Sequence, residues 1–325
     1  MGKIGVIANP ASGKDVRRLV ARASVFDNQE KQAIVRRALV GIQQTGKHTI
    51  AYLDDGHGIV RSALEDSGQE LIATPVASTE MGNALDTISA ARALKEEGCQ
   101  VVLTLGGDGT NRAVAIGWQN VPVIPISTGT NNVFPILTEA TIAGAAAGVI
   151  ASNIIDINDV STQAKAISIE IQNERKDIAL IDAVLSSERF VGARALLEPG
   201  NLKTALLTRA DPAAVGITSI GGLLAPLLDS EPFGLLLELG GDDQKVNAPI
   251  APGYYRDVGV TNHRLVNFQE TVEIKGPGIL AFDRERERVL KPSQEAVLSL
   301  DRTGPKVVDV RKTMHLAAEK GSFKR

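Results

Sequence analysis

Residues Leu103–Arg112 read LTLGGDGTNR. An apolar run stops at Leu105. Gly106, Gly107 and Gly109 then surround Asp108, and Thr110 and Asn111 lead into a helical pattern over Ala113–Ile116. Strand, tight turn and helix in that order make a βα unit. Glycines there remove each Cβ that would block a ligand. The helix that follows starts with free N–H groups and a partial positive charge, which suit phosphate. A phosphate cradle has no use for a carboxylate. Asp108 therefore has a separate task, holding Mg²⁺ or accepting a proton. The plain alternative is a tight βα turn with a capping Asp or Thr.

Outward from this turn, apolar runs and helical patterns alternate. Lys3–Ala8, His48–Leu53, Cys99–Leu105 and Val121–Ile126 read as strands, and Gln29–Gln44 and Asn83–Glu97 as helices with apolar residues at 3.6-type spacing. Such alternation predicts an α/β fold with a parallel sheet covered on both faces. After Ala151–Asp159 the pattern changes. Lys165–Ile171 alternates strictly, and Phe233–Leu239, Thr271–Lys275, Gly278–Phe282, Val297–Asp301 and Lys306–Arg311 follow as strands between turn signals. This is the signature of antiparallel structure with half-solvated faces. The expectation is an N-terminal parallel α/β domain over 1–155 and a mainly antiparallel β domain over 156–325, whose last segment packs back on the first. Asp301–Pro305 reads as a hairpin turn, and the basic Lys312–Arg325 as a solvated tail.

Composition narrows the function. The 325 residues carry 35 Lys and Arg against 38 Asp and Glu, a net charge of -3. No basic excess exists to grip nucleic acid or an anionic bilayer. Aromatics at 3% leave few stacking platforms for single strands. A single cysteine, Cys99, excludes an intramolecular disulfide and a cysteine-rich zinc site and suits a reducing compartment. The four histidines are scattered without metal-ligand spacing. With no export or spanning segment in the pattern, the expected location is the cytoplasm.

Two further loops follow first-half strands. Asn9–Lys14 reads NPASGK, and Ser127–Asn132 reads STGTNN. In open parallel sheets ligands bind beyond the carboxyl ends of the strands, so three polar loops there converge on one polyphosphate. Neither is a Walker A loop, and no G-x-G-x-x-G fingerprint is present, so hydride transfer is not indicated.

With Asn9–Lys14 and Gly129–Asn132, the Gly106–Thr110 turn resembles the superfamily of NAD kinases, diacylglycerol kinases and sphingosine kinases. The chain is most similar to the ATP-NAD kinase-like family, acetoin catabolism protein X subgroup, whose opening resembles residues 4–26, IGVIANPASGKDVRRLVARASVF. The resemblance implies an ATP-dependent phosphotransferase using Mg²⁺, with NAD or another small hydroxyl compound as acceptor, and so a place in NADP biosynthesis or acetoin catabolism. It implies a nucleotide site at Asn9, Gly106, Gly107, Gly109, Thr110, Asn111, Gly129, Thr130, Asn131 and Asn132. Asp108 is then the base, with Asp182 as fallback. No dedicated protein metal cage is expected, and relatives of this kind form homo-oligomers.

Ala179–Val184 (ALIDAV) resembles the A-L-N-E-V-V segment of NAD kinases, with only the acid kept as Asp182, and Ser219–Gly222 (SIGG) resembles their S-A-G-G substrate loop. The preceding T-P-T-G-S-T-A-Y is replaced by Thr208–Val215 (TRADPAAV), which loosens the case for NAD itself. Thr79–Ala84 resembles the threonine-containing nucleotide loop of lipid kinases and otherwise reads as a helix cap. Lys14 is either a phosphate contact or a solvated lysine, and Arg284–Arg288 reads as a solvated face or subunit rim. Two rival functions follow: a nucleotide-sensing regulatory protein that keeps the fold, and a lipid kinase, which lacks a basic amphipathic segment for a bilayer.

Overall fold

The computed structural model describes residues 2–13, 26–66, 71–76, 81–129, 131–187, 198–241, 244–283 and 286–324. In chain order the first half runs β1 (Lys3–Ala8), α1 (Asn28–Gln43), β2 (Thr49–Leu53), α2 (Ile59–Asp66), β3 (Ile72–Val76), α3 (Ala84–Glu96), β4 (Val101–Gly106), α4 (Asp108–Gly117), β5 (Pro122–Ser127) and α5 (Ala140–Ala151). Next come α6 (Ile157–Val160), β6 (Ser161–Gln163), β7 (Ala166–Ile171), β8 (Asp177–Ala179), β9 (Asp182–Ser186), β10 (Leu202–Leu207) and α7 (Ile217–Leu224). The chain ends with β11 (Phe233–Leu239), β12 (Lys245–Ala251), β13 (Tyr254–Asn267), β14 (Thr271–Lys275), β15 (Gly278–Phe282), β16 (Arg286–Leu290), β17 (Glu295–Asp301), β18 (Lys306–Val308) and α8 (Val310–Glu319).

The first sheet has the order β3-β2-β1-β4-β5-β18-β6, and its first five strands are parallel. The order reverses between β1 and β4, so the loops after these two strands flank the switch point where such sheets open a crevice. Local signals explain the helices. Asp27 accepts from Glu30 N at the start of α1, and Asn83 from Leu85 N at the start of α3. Gly98, at φ +75°, ends the helical run where a side chain would be strained.

Helices α1 and α5 pack on the same side of the sheet at very close range. A Cβ at Gly41 would land on the Thr141 carbonyl, and one at Gly144 on the Ala38 carbonyl. The small residues of α5 thus serve close helix contact, and the segment is too short to span a bilayer. Among the described residues no helix is long and apolar enough to cross a membrane.

The expected antiparallel half is two sheets, β12-β13-β11-β10-β9-β15-β16 and β14-β17-β7-β8. Ile167, Ile169, Leu298 and Leu300 from the smaller sheet share one core with Leu185, Leu206, Leu280 and Phe282 from the larger. The alternation of Lys165–Ile171 is therefore the inner face of a sandwich. The larger sheet's other face packs against α7.

Two expectations at the end of the chain are corrected. Asp301–Pro305 is no hairpin: β17 lies in the small sheet, whereas β18 crosses to the first sheet and pairs parallel with β5 and antiparallel with β6. Lys312–Arg325 is no solvated tail: Val310–Glu319 is a helix, capped by Asp309 and packed on α5 through buried Thr313 and Ala317. The basic residues line its outer side, and the buried positions are too few to stand out in the sequence.

Gly144→Leu is expected to destabilise the protein by about 3 kcal/mol or more, because the new side chain meets backbone that cannot yield by a rotamer change. Urea unfolding of the variant against wild type measures it.

Candidate active site

Strand β4 delivers Gly106 to the sheet's carboxyl edge, Gly107 caps the next helix, and Asp108 begins α4. A Cβ at Gly106 would overlap the Thr110 side chain, and one at Gly107 would stand 2.9 Å from Asn132 Oδ1. Buried Asn111 locks the turn from below: Thr104 Oγ1 donates to its Oδ1 at 2.7 Å, and its Nδ2 donates to the Gly107 carbonyl at 2.9 Å. Gly109 and Thr110 are buried in the first turn of α4.

The three expected loops are hydrogen-bonded to one another. Asn9 Nδ2 donates to Thr110 Oγ1 at 2.8 Å, while Asn9 Oδ1 accepts from Ala11 N at 2.9 Å. The Ser12 and Thr128 hydroxyls share a bond of 2.9 Å. Gly13 sits at φ +72°, and a Cβ there would press the Thr128 carbonyl at 2.7 Å. In the third loop Ser127 Oγ donates to the Gly129 carbonyl, and Asn132 Nδ2 donates to Ser127 Oγ. Asp108 closes the circle, its Oδ1 accepting from Val133 N at 2.9 Å and Phe134 N at 2.8 Å. Among the described residues both of these bonds fall on Oδ1. Asn131 is half-buried beside Asn132. Thr130, Lys14, Thr79 and Glu80 lie outside the described residues, as do Arg284 and Glu285.

A cleft of about 560 Å³ opens beside this knot at the ends of β1 and β2, bounded on its far side by the start of α3. Asn9 and Ala11 form one wall, and Asp54, Asp55, His57, Asn83 and Asp86 another. Each carboxylate already has partners. Asp54 pairs with Arg61, Asp55 accepts from His57 N and Ile59 N, and Asp86 accepts from Met81 N and Gly82 N. Burial pushes the Asp55 carboxyl above its usual range. Sequence reasoning reached this wall at Asn83, within Thr79–Ala84, and missed Asp54–His57, although that stretch directly follows a predicted parallel strand.

Asp182 and Ser219 lie elsewhere. Ser219 is fully buried in α7, its hydroxyl donating to the Gly216 carbonyl at 2.6 Å. The glycines beside it serve packing: a Cβ at Gly222 would strike the Asp211–Pro212 backbone. Asp182 is buried at the start of β9, next to buried Asp283. Arg112 of α4 bonds Asp177 and the Ile178 carbonyl, and its guanidinium lies 5.8 Å from the Phe282 ring. The helix that carries the glycine turn is thereby fastened to the strand leading to Asp182.

A family model for the ATP-NAD kinase N-terminal domain matches residues 4–154, and one for the acetoin catabolism protein X C-terminal domain matches residues 165–303. Over 97% of its length the chain is 34% identical to acetoin catabolism protein X of Cupriavidus necator, covering 92% of that protein. The chain belongs to the acetoin catabolism protein X family. Its fold is shared with a candidate diacylglycerol kinase from Bacillus anthracis strain Sterne, at a TM-score of 0.50 and 10% identity over 94% of this chain and 97% of that one. It is thus a kinase-fold protein. Among the described residues of this family member, no three His, Cys, Asp or Glu side chains cluster as a metal cage.

Asp283 is the residue that sequence reasoning missed on this side. Its carboxyl accepts from Leu180 N, Ile181 N and Asp182 N, fixing the ALID segment. Burial and the neighbouring Asp182 carboxylate push it up from 3.8 to about 8, against the pull of the backbone donors. The folded state therefore keeps this proton at pH values where the unfolded chain has lost it. The resulting stability is full below about 3.8 and is lost as pH rises through about 8. Asp283→Asn is expected to flatten this slope. The loss of stability between about pH 5 and about pH 8.5, read by urea unfolding, should be smaller in the variant than in wild type.

Proposed function

We propose that this protein is an ATP-dependent kinase that transfers a phosphoryl group to a hydroxyl of NAD or another small molecule. The supporting observation is the knot of three loops at the strand ends, in which Asn9 is bonded to Thr110, Ser12 to Thr128, and Asp108 to the backbone just after Asn132, around the glycine turn. Residues 1–155 bind the nucleotide in this reading, and residues 156–325 present the acceptor. We place the enzyme in the cytoplasm as a homo-oligomer. The one cysteine is buried, and burial pushes its thiol up to about 12, so it offers no redox chemistry.

Charge sets the direction of the nucleotide. The far wall of the cleft carries Asp54, Asp55 and Asp86, which repel phosphate. The start of α4 offers N–H groups and the positive end of its dipole. Phosphates therefore lie over Gly106–Thr110 and Gly129–Asn132, and the nucleoside lies in the cleft. Mg²⁺ takes one or two carboxylates plus phosphate oxygens and needs no protein cage, and Asp108, whose backbone donors both fall on Oδ1, is the carboxylate beside the glycine turn that would contribute to holding it. ATP with Mg²⁺ supplies the phosphoryl group and neutralises charge at the transferring oxygens.

Asp108 takes the acceptor's hydroxyl proton in this scheme. Two backbone donors hold its Oδ1, which restrains the carboxylate and leaves Oδ2 for that task. A base of ordinary acidity serves because the transition state is loose and the proton leaves late. The acceptor itself is left broad because TRADPAAV stands in the substrate loop.

Gly107→Val is expected to abolish Mg·ATP binding, measured by calorimetry, while circular dichroism stays native, since the branched side chain fills the space toward Asn132. Asp108→Asn keeps an oxygen for Val133 N and Phe134 N. If Asp108 is the base, turnover should fall by roughly 10²–10⁴ while Mg·ATP affinity stays within a few-fold. Turnover with labelled ATP and a panel of NAD, NADH, polyols and sugars reads the effect and identifies the acceptor. Full activity in Asp108→Asn rejects the proposed mechanism.

A further inference from the structure

Lys31 lies in the first turn of α1, on the face that also carries Ile34, Val35 and Ala38, and it is fully buried. Lysine is rarely found at such a position unless protein oxygens replace its water. They do so here. Lys31 Nζ donates to the carbonyls of Asn9 at 2.9 Å, Pro10 at 3.1 Å and Ser12 at 2.7 Å, and lies 3.2 Å from Asn28 Oδ1. Three carbonyls from four consecutive residues thus converge on one nitrogen.

That convergence shapes the loop. Successive carbonyls in an extended segment point in alternating directions. Gathering those of Asn9, Pro10 and Ser12 at one point curls the backbone around the ammonium, as a bound monovalent cation would. With the carbonyls turned inward, the Asn9 amide reaches Thr110 and the Ser12 hydroxyl reaches Thr128. For packing alone a leucine would serve α1 better, because it fills the same apolar face without desolvating a charge.

We infer that Lys31 is a positioning residue, a built-in cation that holds Asn9–Ser12 in the curl that braces the phosphate-binding loops at Thr110 and Thr128. The inference rests on the kinase reading above and extends it to a residue outside every loop motif. Lys31 touches no ligand in this scheme and acts through Asn9 and Ser12.

The test is calorimetric titration with Mg·ATP alongside a thermal melt. Lys31→Met is expected to weaken Mg·ATP binding roughly ten-fold or more, the loss of at least one charge-assisted hydrogen bond's worth of organisation. Lys31→Ala leaves a cage lined by carbonyls. Methylammonium should restore its Mg·ATP affinity, and tetramethylammonium at equal ionic strength should not, because it has no N–H to give. Where Lys31→Met does not fold, Lys31→Ala refolded in methylammonium gives the same comparison as the amine is dialysed away. A lower melting temperature with unchanged Mg·ATP affinity shows a structural role only and overturns the inference. Equal responses to the two amines also overturn it. Wild-type protein that binds no Mg·ATP overturns the kinase reading and this inference together.

Discussion

The hydrogen bond from Asn9 Nδ2 to Thr110 Oγ1 joins the loop after β1 to the turn after β4 across the point where strand order reverses. Neither strand end fixes its loop alone. The backbone bond from Asn9 N to the Leu105 carbonyl sets the two strand ends side by side, and the amide then has one direction in which to reach Thr110. Thr110 in turn occupies the space where a Cβ on Gly106 would be, so the glycine, the threonine and the asparagine are one steric solution. Preorganisation of this kind removes the ordering cost that a flexible polar loop would bear on binding an anion.

The same helix looks both ways. Its first turn holds Asp108 against Val133 and Phe134, and one turn later Arg112 reaches across to Asp177 and Ile178. Arg112 and Asp177 are both nearly buried, and Arg288 also approaches Asp177. A charge pair in that setting contributes little net stability but makes any alternative placement costly, since a separated partner would be left buried and alone. Its role is to fix geometry between the glycine turn and the ALID segment. Asp283 does the equivalent for that segment from the other side, using three backbone donors.

Sequence carried β1, β2, β4 and β5 of the first sheet because each has a local cause, whereas β3 and β6 went unread and β18 was expected in the β domain. Gly98, Asn83 and the apolar run into Leu105 act within a few residues of where they stand, and α3 and β4 fall within two residues of their expected ends. The loop knot was legible in part, through residue types at strand ends. Lys31 was not, because nothing in a helical pattern says that a lysine among Ile34, Val35 and Ala38 has carbonyls to face; those come from residues about twenty positions earlier. Asp283 was hidden for the same reason, its donors lying about a hundred positions away. Ser219 shows the converse: the SIGG string matches a loop motif, yet its glycines here solve a packing problem in a helix. Motif letters report chemistry only where the backbone leaves them facing a ligand.

The return of the chain end to the first sheet also follows from a constraint on edges. Without β18, the outer side of β5 would expose unpaired N–H and C=O groups next to the loop that carries Gly129 and Asn132. An open parallel edge of that kind is a template for pairing with another chain. Residues 306–308 close it, β6 extends the sheet beyond them, and α8 covers the small residues of α5 that would otherwise face solvent. The first sheet is therefore completed only after the β sandwich has been threaded. Covalent continuity through Asp301–Pro305 thus fixes the β sandwich relative to the first sheet at a second point besides Arg112. Two anchors, one through α4 and one through β18, resist rotation of the halves in a way that neither does alone.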